Sequence, residues 1–161
     1  VMPLFPEATE REARILKAAA LLSDIGWTEH PDYRALHSFI RILRLPVAGI
    51  SHRDRAMIAM TVFFRYDGPK GQYEVKEVRS LIRDGDQSLA IVMGAALRLA
   101  HVLSAGVPGL LAQTSLTIKN KGLVLDLGHH SHLFKSEAVI KLAKYLAETI
   151  EVKFFIKAAQ S

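Results

Sequence analysis

The stretch Leu21–Trp27, "LLSDIGW", decides how this chain folds, together with the segment "HPDYRALH" at residues 30–37. An apolar helix leads into Asp-Ile-Gly, and two histidines follow within a few residues. A carboxylate with nearby histidines is typical of a divalent-metal site that activates water. Ser23, however, directly precedes Asp24, and a serine is a poor metal ligand. The sequence therefore raises the question of whether this helical scaffold still holds a metal.

The composition is that of a folded, cysteine-free chain of moderate size. Its 161 residues suit one domain, or one domain with a small appendage, and 50% of them are hydrophobic. A chain of this length buries roughly 68–70% of its unfolded surface, so it can form a core without disulfides. The lack of cysteine excludes disulfides, thiolate catalysis and cysteine-based zinc sites. It suits a reducing compartment, and we expect a cytoplasmic protein.

Neither a targeting segment nor a membrane span is expected. The longest apolar run, at residues 89–106, is interrupted by Arg98 and His101. The N-terminus does not have the basic region and short apolar run of a signal peptide. Because the first residue is Val1 rather than methionine, we expect the chain to be a piece of a longer protein.

The charge balance is moderately basic. The net charge is +5, with seven histidines in addition. Such an excess favours anionic partners, among them nucleic acid, polyphosphate, nucleotides and acidic proteins. Ordinary solubility explains the same balance equally well, so charge alone does not separate these alternatives.

Capping signals and apolar periodicity predict helices over the first two thirds of the chain. Thr9 and Glu12 form a capping box before a helix that is apolar almost all round, which we expect to be the buried central helix. Pro31 suits the first turn of the second helix. The apolar stripe expected to be buried in that helix consists of Tyr33, Leu36, Ile40 and Leu43.

Further helices are predicted after a Leu-Pro turn. Ser51, with Asp54 three residues later, caps a helix that ends at "FFRY". A shorter amphipathic helix covers residues 73–82. The sequence Asp84-Gly85-Asp86 then caps a long apolar helix over residues 87–104.

The pattern changes near residue 110. The runs "TSLTIK" and "LVLDL" are short strands joined by the hairpin loop Asn120-Lys121-Gly122. A helix over residues 136–149 and the alternating run "VKFFIK" follow. The predicted fold is mainly α, with a helical bundle at residues 1–110 and a small β-β-α-β subdomain at residues 111–161 packed on it.

Asp24 and the histidines are the candidates for metal binding. Asp24 would bind a metal, cap the next turn or pair with an arginine, since an unpaired buried charge is costly. His37 is either a ligand or a hydrogen-bonded, half-buried histidine. The cluster His129, His130 and His132 lacks further ligands at a spacing that would complete a tetrahedral set.

Basic residues form two stripes and one cluster. One stripe is Arg34 and Arg41, seven residues apart and close to Arg44. The other is Lys76, Arg79 and Arg83. Such rows are the footprint of an extended polyanion, although a solvated face has the same appearance. A third group, His52, Arg53 and Arg55, lies at the start of a helix, where backbone N–H groups favour anions.

A family resemblance joins these pieces. The run from "EREARILK" through "SDIGW", "HPDYRALH" and "HRDRAMIA" to "FFRY", and then "DQSLAIVMGAALRLAHVLS", resembles the C-terminal region of bacterial exopolyphosphatases and guanosine-pentaphosphate phosphatases. The resemblance implies a helical domain related to His-Asp metal phosphohydrolases. It also implies two preceding actin-like domains, which hold the phosphate loops, the catalytic carboxylate and the Mg²⁺ site. None of their motifs occurs in this chain.

The resemblance also shows where ligands are missing. Ser23 replaces the histidine of the His-Asp pair, and His101 takes the place of a second aspartate. Asp67 stands where some relatives have a histidine. We therefore expect no catalytic residues and no resident metal in this chain, with Asp24, His37 and His101 as weak metal candidates.

The sequence thus predicts an accessory domain of an exopolyphosphatase-type hydrolase, which binds polyphosphate or a similar polyanion and supports a homodimer. The missing actin-like domains would be its partners and would carry the Mg²⁺ and the cleavage chemistry. The alternatives are a free-standing degenerate metal phosphohydrolase and a basic module that binds nucleic acid or protein. The predicted polyanion-binding residues are Arg34, His37, Arg41, His52, Arg53, Arg55, Arg65, Lys76, Arg79, Arg83 and Arg98.

Overall fold

The fold of the chain is mainly helical, with one small sheet. A computed structural model describes residues 4–5, 7–105, 107, 109–119, 122–128 and 136–157. The chain packs into two compact units, Ala8–Gly94 and a second that combines Val1–Glu7 with Ala95–Ser161. This division falls within a long helix, whereas the sequence predicted a boundary after residue 110. Whether either part is an independent domain stays a prediction.

The first unit consists of helices whose ends follow the sequence signals. The elements are α1 (Glu10–Leu21), α2 (Pro31–Arg44), α3 (His52–Arg65), α4 (Tyr73–Glu77), a 3₁₀ turn (Val78–Leu81) and the first half of α5 (Asp86–Ser104). The predicted capping box at Thr9 is present, and the Ser51 hydroxyl accepts the Asp54 N–H. His30 caps α2, because its Nδ1 atom accepts the Asp32 N–H at 3.3 Å. These local predictions are confirmed.

The central helix of this unit is α3, and the prediction that α1 is buried on all sides is wrong. Every residue from Ala56 to Arg65 is buried, and both α1 and α2 pack against this helix. By contrast, α1 buries Ile15, Leu16 and Ala19, and Leu21 is 78% exposed. The reason is size, since the alanines of α1 gain little from burial, whereas the Met, Ile, Val and Phe side chains of α3 remove much more apolar area from water.

The buried face of α2 also differs from the predicted stripe. Ser38, Phe39 and Ile42 are buried, whereas Tyr33 is 59% exposed. The Phe39 ring contacts Phe63 of α3 edge to face, with 5.7 Å between the ring centroids. Aromatic pairs of this geometry add to the energy of burial, and the position of Phe63 therefore selects which face of α2 turns inward.

The second unit contains the predicted β-β-α-β arrangement. Its strands are β1 (Ser115–Lys119), β2 (Gly122–Asp126) and β3 (Lys153–Lys157), in that order across the sheet. β1 and β2 are antiparallel and β2 and β3 are parallel. The helix α6 (Glu137–Thr149) lies between β2 and β3 in the chain and packs on both. Of the predicted hairpin loop, Asn120 and Lys121 lie outside the described residues.

The helix α5 is long and apolar enough to cross a membrane by length and composition alone, although Arg98 and His101 had led us to expect no such run. Half of its most apolar window is buried within the protein. Core helices pass the same test, so the observation is weak evidence for a membrane span.

Gly94 of α5 is required by a close approach to α3. A Cβ atom at this position would lie 2.7 Å from Cβ of Phe64 and 2.8 Å from the carbonyl oxygen of Thr61. Both atoms belong to or adjoin the backbone, so neither can rotate away. Only glycine lets the two helices pack at this distance.

We therefore predict that Gly94→Ala lowers the free energy of unfolding by about 1–3 kcal/mol, because the added methyl group forces the helices apart. Urea unfolding followed by circular dichroism measures the change. Gly71→Ala is the matched control, since nothing lies within 4 Å of a Cβ at that position. Equal stability of the two variants would contradict the packing argument.

Candidate functional site

Ser23 has a structural position inside the first unit. It is buried, and its hydroxyl donates to the Ala19 carbonyl oxygen at 2.9 Å. Its own carbonyl oxygen accepts the Tyr66 hydroxyl at 2.6 Å. These two hydrogen bonds connect the turn after α1 to the end of α3.

Asp24 forms an ion pair with a buried arginine. Its Oδ1 atom lies 2.9 Å from Nη2 of Arg65, whose side chain is 4% exposed. The Arg65 guanidinium also lies 4.4 Å from the centroid of the Tyr66 ring. A buried guanidinium needs a counter-charge, and Asp24 supplies it. Of the three roles open to Asp24, the structure shows pairing with arginine.

Glu29 is the shared partner of two predicted site residues, and the sequence analysis did not identify it. His37 Nδ1 lies 2.8 Å from its Oε2 atom, and the Arg41 guanidinium forms an ion pair with its other oxygen. The hydrogen bond with His37, and then the positive charge of Arg41, hold the pKa of Glu29 below its usual value. Its partners are eight and twelve residues away, which is not a helical contact spacing, so no local pattern indicated this cluster.

The side chains of the predicted basic stripe of α2 bind backbone carbonyl groups of the turn that precedes the helix. Arg34 donates to the carbonyl oxygens of Trp27 at 3.2 Å and Glu29 at 3.0 Å, and it lies 5.4 Å from the Trp27 ring. Arg41 donates to the Ile25 carbonyl oxygen at 2.9 Å. With His37, these side chains hold the turn before α2 against the helix. Their positive charge is therefore largely engaged in contacts within the protein.

Arg53 is held in a two-point ion pair. Its Nε and Nη2 atoms each lie 2.7 Å from an oxygen of Asp86, whose side chain is 7% exposed. Asp86 also accepts the Arg83 backbone N–H at 2.9 Å. The Arg53 hydrogen bonds, followed by that backbone bond, lower the pKa of Asp86, and the pair raises the pKa of Arg53. The pair ties the start of α3 to the start of α5.

The other residues predicted to bind polyanions differ in whether their side chains contact the protein. Arg55 donates to the carbonyl oxygens of Leu43 at 3.4 Å and Val47 at 3.1 Å. His52 is exposed. In the second unit, Arg98 is half-buried and already has an interaction partner, and His101 is exposed.

Three of the residues predicted to bind polyanions, on α4 and the segment after it, are free cations. Lys76, Arg79 and Arg83 are exposed, and their side chains form no ion pair or hydrogen bond with any residue that the structure describes. The predicted helical stripe is broken, however, because the helix tightens to 3₁₀ at Val78 and ends at Leu81. Helical spacing therefore relates Lys76 to Arg79 but does not extend to Arg83.

The structure does not bring the candidates for metal binding together. Within the described ranges, no group of three or more His, Asp or Glu residues is placed to hold a metal ion. Asp24 and His37 each have a different protein partner. The cluster His129, His130 and His132 lies outside the described residues.

We predict that Asp86→Asn destabilises the protein by about 1–2 kcal/mol at pH 7, because it replaces the charged acceptor of the Arg53 hydrogen bonds with a neutral amide. The native pKa of Asp86 is lowered, so the stabilisation is complete above the unfolded value of about 3.9 and is lost as pH falls through the folded value. Urea unfolding from pH 7 to strongly acidic pH measures both effects.

The control for this experiment is Asp84→Asn, because Asp84 is exposed and lies two residues away. It should change stability little at any pH. A constant stability difference between wild type and Asp86→Asn across the acid range would show that the charge of Asp86 is not the cause.

Comparison with known proteins adds one finding. The family profile described as "Exopolyphosphatase, C-terminal" matches residues 4–153. No curated protein matches the chain. The match spans nearly the whole sequence and, within the described residues, includes the Asp24 turn, the helices α1 to α6 and the start of β3. The chain belongs to the family of exopolyphosphatase C-terminal domains.

Proposed function

We propose that this chain is the accessory domain of an exopolyphosphatase-type hydrolase and that it binds polyphosphate, or a similar polyanion, for the parent enzyme. Cleavage of the acid anhydride belongs to actin-like domains outside this chain, which also carry the Mg²⁺. The domain contributes to a homodimer in the cytoplasm. The observation that carries the proposal is the exposed, unpaired cation group Lys76, Arg79 and Arg83 within a domain of this family.

Some of the predicted polyanion-binding cations are paired within the protein and others are free, which reduces the set available to bind a polyanion. Arg34, Arg41 and Arg55 satisfy carbonyl groups of their own chain. Arg53 and Arg65 neutralise carboxylates. A polyanion would gain little from charges already used in this way. The free group lies on one short segment, and His52 adds an exposed donor at the start of α3.

Polyphosphate suits this kind of surface. It carries about one charge per phosphate along a backbone without bases, so its recognition depends on the placement of lysine and arginine rather than on sequence readout. Lysine acts as a point charge, whereas arginine also binds two phosphate oxygens at once. A mixed row such as Lys76 and Arg79 provides both kinds of contact.

The geometry around Asp24 supports an accessory role over a hydrolytic one. We propose that the helical unit is derived from a His-Asp phosphohydrolase whose metal position has been replaced by an internal cation, Arg65. A metal bound at Asp24 would compete with Arg65, whose buried guanidinium takes Asp24 as its counter-charge. Ser23, already bonded to Ala19, supplies no strong ligand in return.

We predict that the double change Lys76→Gln and Arg79→Gln weakens binding of long-chain polyphosphate and lowers the salt dependence of log K by about 0.9 per charge removed. Isothermal titration calorimetry at several salt concentrations measures both. The control is Lys141→Gln with Lys144→Gln on α6, which removes the same charge from another exposed helix. An equal effect of the two double variants would show that net charge, not this segment, drives binding.

Two further readouts separate this proposal from other functions. The purified chain with Mg²⁺ or Mn²⁺ should release no phosphate from polyphosphate, because it has no catalytic constellation of its own. Metal-dependent release that disappears in Asp24→Ala would establish a working hydrolase instead. Binding of RNA or DNA more tightly than polyphosphate at matched salt would identify a nucleic-acid module.

A further inference from the structure

An apolar groove along α1 has no role in the proposed function. Its volume is about 240 Å³, and none of the residues predicted to bind polyanions lines it. Its apolar lining comes from Ile15, Ala18 and Leu21 of α1 and from Ile50 and Ile58 beside them. The groove lies wholly within the first unit. It is a hydrophobic depression on the surface of an otherwise basic protein.

Leu21 is the most exposed large apolar side chain among the described residues, at 78%. It continues the line of Ile15 and Ala18 along one side of α1, at spacings of three and six residues. A single exposed leucine is unremarkable, but one that extends a groove enlarges the apolar surface that a partner would bury.

The described residues that line the groove include four charged ones, of which three are basic and one, Asp54, is acidic. Arg11 donates through Nε to Asp54 at 2.6 Å, so these two charges neutralise each other. Arg14 and Lys17 are exposed and pair with no residue that the structure describes. An incoming carboxylate would therefore be attracted to Arg14 and Lys17.

We propose that this groove binds an acidic amphipathic helix of another protein. From Arg11 to Leu21 the lining extends about 15 Å along α1, which is close to three helical turns. Apolar residues at i, i+3 or i+4, and i+7 of the incoming helix would contact Ala18, Leu21 and Ile50, the lining residues that are not fully buried. Aspartate or glutamate residues beside these anchors would face Arg14 and Lys17.

Two other occupants fit the groove less well. Polyphosphate gains nothing from a floor of isoleucine and leucine. A second copy of the chain in a two-fold contact would bring Arg14 and Lys17 of both copies into one interface, where the lining carboxylate, Asp54, is already paired with Arg11. The acidic helix is the occupant that uses both the apolar floor and the cations.

The test uses a fluorescent synthetic helix with leucines at i, i+4, i+7 and i+11 and glutamates beside them. Fluorescence anisotropy should show saturable binding to the full chain, and NMR amide shifts should map to residues 11–21 and 50–58. We expect Leu21→Asp to weaken binding at least tenfold. Leu81→Asp is the matched control, because Leu81 is an exposed leucine of the same unit outside the groove, and we expect a change below twofold.

Each other result overturns the proposal. Equal losses in Leu21→Asp and Leu81→Asp, or equal binding of a peptide with lysines in place of the glutamates, would remove the specific site. Self-association of the chain that depends on Leu21, measured by sedimentation, would identify a second copy as the occupant. Both variants should keep the wild-type unfolding midpoint, and polyphosphate binding should be unchanged in Leu21→Asp, which separates this inference from the proposed function.

Discussion

The burial of α3 from Ala56 to Arg65 is the constraint on which the first unit depends. A helix buried over ten consecutive residues, Ala56–Arg65, must be covered on every side, and α1 and α2 pack against it. Its last residue is an arginine, so the cover must also supply a negative charge. Asp24 meets that need from the turn after α1. The position of the turn that contains Asp24 thus follows from the need to neutralise Arg65 at the end of α3.

The same constraint bears on metal binding at Asp24. A cation bound at Asp24 and the buried guanidinium of Arg65 would draw on the same carboxylate. The Ser23 hydroxyl donates to the carbonyl oxygen of Ala19, and a hydroxyl is a weak ligand for a metal ion. Unpaired cations lie elsewhere in the first unit, among them Lys76 and Arg79.

Formal charge in a sequence does not distinguish a structural cation from a binding cation. Arg34 and Arg79 look alike in the sequence, since each lies on a helix with another basic residue at helical spacing. In the fold, Arg34 satisfies two backbone carbonyl groups, whereas Arg79 pairs with no described residue. The difference lies in the turn at residues 22–29, whose carbonyl groups face α2. No regular spacing in the sequence relates that turn to Arg34, although the two lie close together in the fold.

Features that depend on neighbouring residues could be predicted from the sequence. The capping box at Thr9, the Ser51 cap, the break before Asp86 and the β-β-α-β order all rest on contacts within a few positions, which a linear pattern records. The tertiary structure alone decided which helix is central, which face of α2 is buried and which arginines are free. Those outcomes depend on side-chain volume and on partners far away in the chain, such as Phe39 with Phe63 and Asp24 with Arg65, which bring no periodicity to the sequence.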